Sequence, residues 1–506
     1  MSTSDTSGAH ESERMATGIP GLDTVLNGGV YRGGIYIVQG TPGAGKTIFG
    51  NQLCFSQAAA GARALYVTLL AETHSRMLAH MGRLGFFAPD AVPDRVAYVG
   101  AFRLLEEGGL RGLLDLIRHE IRLRQANIVV LDGLATVGES ASSDLELKKF
   151  VHELQTQAVF TNCTMFLLTS GIRHPLPISP EYTMVDGLIE LKTRMFGRRA
   201  DRELQVHKLR GSDYLSGEHS FLIRDDGIIV FPRLEAALAM PSVPDRADGS
   251  KVSTGIESLD AIMGGGPDRH SVTVVQGPAG SGKTTIGLQF LGASRDDEPA
   301  LLFGFHENPA ALRIKARALR LRAGDLIDSG QVEVMWQPAT EALLDEVCSR
   351  LLDAIRRRKV RRLFLDGIAG FEKLWPDKTR LGNVVAALCN ELRGLSVTTL
   401  ITAETELAGI VPGQPLAGLA LQGLSPVAEN IVVLRLAAVR AEIHRLIAVV
   451  KARDSRIDMR MRRFGIVEGG VAIEPDFTTA EAVLRELMQQ GQLLPSRPAD
   501  ASLGGG

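Results

Sequence analysis

Aromatic side chains are scarce in this chain, only 5% of its 506 residues, and its formal net charge is just −2. A strong binder of single-stranded nucleic acid combines a basic groove with aromatic stacking platforms. Neither is supplied in bulk, so only a local basic patch is left open. There are four cysteines, Cys54, Cys163, Cys348 and Cys389, with no CxxC pair and no zinc-type spacing. Free, buried thiols in a reducing cytoplasm are therefore expected. No stretch approaches the roughly 18 consecutive apolar residues of a membrane span. The opening segment, Met1 to Arg14, is polar and lacks the apolar centre of a signal peptide. These absences predict a soluble, cytoplasmic protein with no membrane partner. Hydrophobic residues, in contrast, make up 45%, enough for packed cores. The length suits two large domains of roughly 100–200 residues each.

The chain repeats itself. Thr17-Gly18-Ile19 with Leu22-Asp23 returns as Thr254-Gly255-Ile256 with Leu259-Asp260, and Gly40 and Lys46 return as Gly277 and Lys283. Both motifs recur at one spacing, since 254 minus 17 and 277 minus 40 are each 237. One spacing for two motifs points to duplication of a whole domain. The predicted organisation is a tail over 1–14, a first domain over 15–236, a linker over 237–251, a second domain over 252–475, and a C-terminal helix and tail over 476–506. The linker holds Pro241, Pro244 and Gly249 and little apolar periodicity. Each half alternates short apolar runs with helix-length segments. The runs are Ile35–Gln39, Ala64–Leu70, Ile128–Leu131 and Met165–Thr169, then Val272–Gln276, Ala300–Phe305, Leu363–Leu365 and Thr398–Thr402. That pattern predicts an α/β fold with two tandem, mainly parallel sheets flanked by helices.

Two segments match GxxxxGK followed by Ser or Thr. They are Gly40-Thr41-Pro42-Gly43-Ala44-Gly45-Lys46-Thr47 and Gly277-Pro278-Ala279-Gly280-Ser281-Gly282-Lys283-Thr284, the latter followed by Thr285. The glycines let backbone N–H groups turn toward phosphate oxygens, and the helix that follows adds its positive end. Lys46 and Lys283 are placed to reach the β and γ phosphates, and Thr47 and Thr284 to bind Mg²⁺. Asp132 and Asp366 each end an apolar run, where a carboxylate holds Mg²⁺ through water. An aspartate that merely starts a loop is the alternative. ATP and Mg²⁺ are the expected cofactors. Glu72 and Glu307 follow the second strand of each half and could polarise an attacking water; a surface acid at a strand end is the bland alternative.

These pieces together resemble the KaiC family of circadian-clock ATPases, relatives of the RecA and RadA class, over about Arg14 to Glu474. The resemblance rests on the entry segment Thr17–Gly29, on Lys208-Leu209-Arg210-Gly211-Ser212, and on Gly217-Glu218, Phe221, Ile223 and Gly227-Ile228-Ile229-Val230-Phe231-Pro232. The second half carries Arg440, Glu442, Lys451 and Arg453 in the matching region. It implies two RecA-like P-loop domains, a hexameric double ring and ATP at subunit boundaries. It also implies that Lys208 and Arg210, then Lys451 and Arg453, reach across to a neighbour's γ-phosphate; an ordinary solvated basic strand end is the alternative. A cation supplied in trans stabilises the charge of the transferring phosphoryl group.

The chain departs from that family twice. KaiC proteins place paired glutamates after the second strand, whereas here Ala71 and His306 stand first, before Glu72 and Glu307. Histidine can accept a proton near neutral pH but brings no fixed negative charge, so slow hydrolysis is expected. Aligned back from Glu429-Asn430-Ile431, the family's Ser-Thr phosphorylation pair falls on Ser425 and Pro426. Proline has no hydroxyl, which leaves Ser425 as the single candidate acceptor, or Ser-Pro as a simple turn.

Three functions compete at this point. One is a KaiC-like ATPase with Ser autokinase activity, working with a signalling protein partner in signalling or timing. Another is a RecA/RadA-type motor on DNA. The loops that would line its pore, Gly171–Tyr182 and Gly409–Pro426, hold prolines and few cations, so a nucleic-acid partner is not expected. The last is a nucleotide-gated scaffold with little turnover.

Overall fold

The computed structural model describes residues 13–69, 74–170, 180–196, 198–242, 249–375, 378–405, 425–453 and 457–492. Two compact units divide between Ala237 and Leu238, each built around a nine-stranded sheet. Across the first sheet the strands lie in the order Gly227–Phe231, Glu218–Arg224, Arg199–Leu209, Gly187–Phe196, Ile35–Gly40, Thr164–Ser170, Ile128–Asp132, Ala64–Thr68, Val96–Gly100. The six from Gly187–Phe196 onward are parallel and the other three antiparallel. Across the second sheet the order is Val332–Trp336, Ala300–Gly304, Arg362–Asp366, Thr398–Glu404, Val272–Gly277, Asn430–Val439, Glu442–Ala452, Arg462–Val467, Gly470–Ile473. This is the first order read from the opposite edge. The sequence repeat is therefore a repeat of topology, and both units are RecA-like α/β domains.

The parallel strands read as unbroken apolar runs because helices cover both their faces. In the first unit, Tyr36 and Val38 pack with Phe49 and Leu53 of helix Lys46–Ala59. Ile35 and Ile37 pack on the other face, with Ile117 of helix Phe102–Arg124 and Leu154 of helix Asp144–Thr161. Several strands outrun their apolar residues. Asp132 is still in register with Thr68, Ser170 with Gly40, and Glu404 with Gly277, because a polar side chain at a strand's end costs the backbone ladder nothing. Strand Ile35–Gly40 lies where the chain changes direction across the sheet, with later strands added first on one side and then on the other. Its C-terminal end is thus the crevice where open α/β sheets bind ligands.

The flanking segments are anchored. Arg14 and Met15 pair with Tyr31 and Val30, and Arg14 donates to the carbonyls of Leu26 and Gly29. Ser242, in the stretch read as a linker, donates its N–H and hydroxyl to Glu391. Helix Thr478–Gln492 seats Ala480 and Val483 against Ala437, Val439 and Leu446. All four cysteines are free and buried. Burial pushes the Cys163 and Cys389 thiols up to about 12, which leaves them unreactive. Among the described residues no helix is long and apolar enough to cross a membrane.

Each P-loop helix presses onto its sheet through a glycine four residues past the lysine. A Cβ on Gly50 would stand 2.9 Å from Val130 and 3.0 Å from Leu168, whereas one on Gly287 would stand 2.1 Å from the ring of Phe364. The Phe364 ring is fully buried and has nowhere to go. We expect Gly287→Ala to destabilise the second unit by about 1–3 kcal/mol and Gly50→Ala to cost less. Urea unfolding monitored by far-ultraviolet circular dichroism measures both.

Candidate functional site

At the end of the switch-point strand the chain turns through Gly43 (φ +80°) and Gly45 (φ +104°) before helix Lys46–Ala59 begins. The second unit repeats this at Gly280 (φ +75°) and Gly282 (φ +104°), ahead of helix Lys283–Gly292. These left-handed values are open to glycine and strained for any other residue. Space is short as well. A Cβ on Gly40 would lie 2.5 Å from the Leu191 carbonyl oxygen, and one on Gly277 2.8 Å from Leu434 Cβ. The loop can therefore be built only with glycine at these points. It leaves the backbone N–H groups at each helix start facing the crevice, the arrangement that binds phosphate.

Both P-loop lysines fold back on their own loops. Lys46 Nζ donates to the carbonyls of Gly40 (2.8 Å) and Thr41 (3.0 Å), and Lys283 Nζ to those of Gly277 and Pro278, both at 2.8 Å. Burial lowers the pKa of each. Asp132 opposes that shift at Lys46, and Glu404, then Asp366, at Lys283. A partly desolvated ammonium held only by carbonyls is ready to exchange them for phosphate oxygens.

Two further groups meet beside each lysine. Thr47 Oγ1 donates to Asp132 Oδ2 at 3.1 Å, and Thr284 Oγ1 to Asp366 Oδ2 at 3.0 Å. A hydroxyl and a carboxylate converging next to a phosphate loop fit Mg²⁺, which takes one or two protein oxygens and completes its shell with phosphate and water. Among the described residues no group of three or more His, Cys, Asp or Glu side chains could hold a metal. Asp132 is buried. Burial raises the pKa of Asp366; its bonds from Thr402 and Thr284 counter that rise, and the charge of nearby Glu307 adds to it. Glu307 thus stands beside this carboxylate but is ion-paired with Lys315. His306 is exposed, and its ring lies over Gly367, 3.2 Å from where a Cβ there would sit. Glu72 lies outside the described residues, as do Ala71 and the candidate pore-loop residues 171–179 and 409–424.

Sequence reasoning missed two hydroxyls. Tyr66 donates to Asp132 Oδ2 at 2.7 Å; burial, first of all, and then Asp132 hold its phenol pKa well above the usual tyrosine range, so it remains a donor. In the second unit, Thr402 donates to Asp366 Oδ1 at 2.6 Å. Each shares its strand with other polar residues, Thr68 in the first case and Thr398 and Thr399 in the second, so sequence alone does not single it out.

The four cations of the Lys-x-Arg pairs are elsewhere. Lys208 is in register with Leu188, which pairs with Ile37, and the Arg210 N–H donates to the Asp186 carbonyl at the level of Ile35. Lys451 pairs with Ile431 alongside Val274, and the Arg453 N–H reaches the Glu429 carbonyl at the level of Val272. The arginines sit level with the start of the switch-point strand and the lysines with its third residue, whereas the P-loop is at its end, roughly 16 Å beyond the arginines and roughly 10 Å beyond the lysines at about 3.3 Å per residue. Lys208 Nζ donates to the carbonyls of Tyr182 and Thr183, Arg210 to that of Thr183, and Lys451 Nζ to those of Ser425 and Ala428. Arg210 lies 3.8 Å from Asp186 and Arg453 3.8 Å from Glu429. Ser425 is exposed at this same end. Within each unit the structure thus unites the P-loop with its threonine and aspartate, and separates both from the Lys-x-Arg cations of that unit.

The family model described as "ATPase: KaiC" matches residues 15–235 and again 252–477. Among curated proteins, the circadian clock oscillator protein KaiC of Picosynechococcus sp. is 25% identical over 95% of this chain and 94% of its own length. The KaiC of Synechococcus elongatus is 24% identical over 96% and 93%. The circadian clock protein KaiC3 of Synechocystis sp. is 24% identical over 93% and 94%. With both halves matched and the P-loop geometry built twice, the chain belongs to the KaiC family of ATPases.

Proposed function

We propose that the protein is a KaiC-type ATPase that hydrolyses Mg-ATP slowly at subunit boundaries of a hexameric double ring, in a signalling or timing role. The observation that carries this reading is the separation just described. Within each unit the P-loop and the Lys-x-Arg pair lie apart along the switch-point strand, which supports the reading that cationic help at the γ-phosphate comes from a second copy. The pairing of the domain core with a cation in trans also ties turnover to assembly.

In each unit the loop N–H groups and Lys46 or Lys283 bind and orient the phosphates, while the Thr–Asp pairs hold the metal. Bound Mg²⁺ supplies neutralisation of charge on the phosphoryl oxygens. Orienting the attacking water is the weak step. Ala71 has no polar group, His306 is exposed, and Glu307 is tied to Lys315. Absence of a positioned base costs on the order of 10²–10⁴ in rate unless Glu72, in the first unit, or Glu307, in the second, takes over that duty. Ser425 is the proposed acceptor of any autokinase activity. Its place beside Lys451 implies that a neighbour's second-domain ATP would phosphorylate it.

Binding of nucleotide between subunits favours the assembled state. Light scattering should give a hexamer with Mg-ATP and smaller species without nucleotide; an unchanged monomer at saturating Mg-ATP would refute the ring.

The first domain should dominate turnover, so Lys46→Ala should remove most of it and Lys283→Ala little. Arg210→Ala should cost on the order of 10³ in first-domain rate. Mixing Arg210→Ala with Lys46→Ala chains should restore turnover, because some boundaries then pair an intact P-loop with an intact arginine. No recovery in mixed rings would mean that the arginine acts within its own chain or not at all.

Phosphosite mapping after incubation with Mg-ATP should find Ser425 alone, and nothing in Ser425→Ala. A dominant site elsewhere in the second domain would count against the assignment. An absence of both phosphorylation and turnover would favour the nucleotide-gated scaffold, to which the Glu307–Lys315 pair lends support.

A further inference from the structure

The two units orient their metal-site carboxylates by different means. Tyr66, on strand Ala64–Thr68, and Leu302, on strand Ala300–Gly304, occupy equivalent places. Tyr66 is in register with Val130 and Tyr98, and Leu302 with Phe364 and Val334. Where the first unit has a phenol, the second has an alkyl group. On the other side, Thr402 is in register with Val275 and its counterpart Leu168 with Val38, so the second unit has a hydroxyl where the first has none. Each unit therefore lacks the donor the other uses. The hydroxyls also land differently. Tyr66 shares Oδ2 of Asp132 with Thr47, at 2.7 and 3.1 Å. Thr402 takes Oδ1 of Asp366, leaving Oδ2 to Thr284, at 2.6 and 3.0 Å. The Thr402 hydroxyl donates to the carboxylate, which as an anion only accepts, while it accepts the Gly367 N–H at 2.7 Å. Thr402 is fully buried, and Tyr66 is among the largest fully buried side chains.

We propose that Tyr66 and Thr402 are the positioning residues of the two Mg²⁺ sites, each fixing the orientation of one aspartate through a different oxygen, so that the two sites differ in their metal dependence. The proposal rests on the reading that Asp132 and Asp366 hold Mg²⁺. A hydrogen bond to a ligating carboxylate restricts its rotation and fixes which oxygen faces the metal, and loss of such a partner typically lowers metal affinity by 10–100-fold. In the first unit both hydroxyls converge on one oxygen, and removing the phenol takes away the shorter of these two bonds. In the second unit each oxygen has its own hydroxyl, and removing Thr402 frees the carboxylate to turn about the Thr284 contact.

The test is Mg²⁺ titration of the binding of a fluorescent, non-hydrolysable ATP analogue to the full chain. The first site is read in a Lys283→Ala background and the second in a Lys46→Ala background. Tyr66→Phe, which keeps the ring, should raise the half-saturating Mg²⁺ concentration at the first site by about tenfold or more. Affinity in EDTA should be unchanged, and the second site unaffected. Thr402→Val should do the same at the second site alone, and Thr402→Ser should restore it. An unmoved midpoint for Tyr66→Phe, or a loss as large in EDTA as in Mg²⁺, would overturn the proposal even if Thr402→Val failed to fold. Asp132→Asn and Asp366→Asn separate the two levels of the argument. If they too leave the midpoints unmoved, the metal reading falls; if they move them and the hydroxyl variants do not, only the positioning roles fall.

Discussion

The contact between a threonine at the start of a helix and an aspartate at the end of a strand two places away organises each half of this protein. For Thr47 to meet Asp132, the P-loop helix must begin immediately after the glycine turn and lie close across the sheet. The left-handed turn at Gly45 supplies the first condition, and Gly50, with no side chain to hold the helix away, supplies the second. The same two conditions recur at Gly282 and Gly287 around the Thr284–Asp366 contact. The fold thus places a hydroxyl and a carboxylate together at the open end of the switch-point strand and directs a set of backbone donors at the same spot.

Duplication preserved this arrangement and let its surroundings diverge. Around the first site, Tyr98 donates to Asn51 and Asn51 to the Thr47 carbonyl. The second unit has Val334 and Leu288 at those positions, and its helix packs there by apolar contact alone. The second unit also buries polar groups away from this contact, among them Arg362 with Glu298. Two domains of one topology can therefore hold the same ligand-binding geometry with different balances of polar and apolar support.

The opposite end of the sheet shows what did not diverge. Asp186 accepts the N–H of Ile35 and lies near Arg210; Glu429 accepts the N–H of Val272 and lies near Arg453. One carboxylate in each half caps the start of the switch-point strand and lies near the arginine of the Lys-x-Arg pair. That repetition is what duplication of a whole domain leaves behind.

The P-loops, the aspartates, the α/β class and the duplication were legible in the amino-acid sequence because each rests on local chemistry. Glycine is required at fixed offsets, apolar residues run together where a strand is covered on both faces, and an acid ends the run. The family resemblance came from the same local patterns. Tyr66 and Thr402 were not legible as site residues, since a tyrosine or threonine in a strand is ordinary and only register shows which carboxylate it meets. Nor could sequence tell that Glu307 would be spent on Lys315, an ion pair formed across a turn and along a helix face. The distance from Lys208 and Arg210 to their own P-loop also belongs to tertiary structure. It depends on which strands are neighbours and in which direction each runs, and pairing between strands far apart in sequence is decided by packing of the whole sheet, not by any residue's own preference.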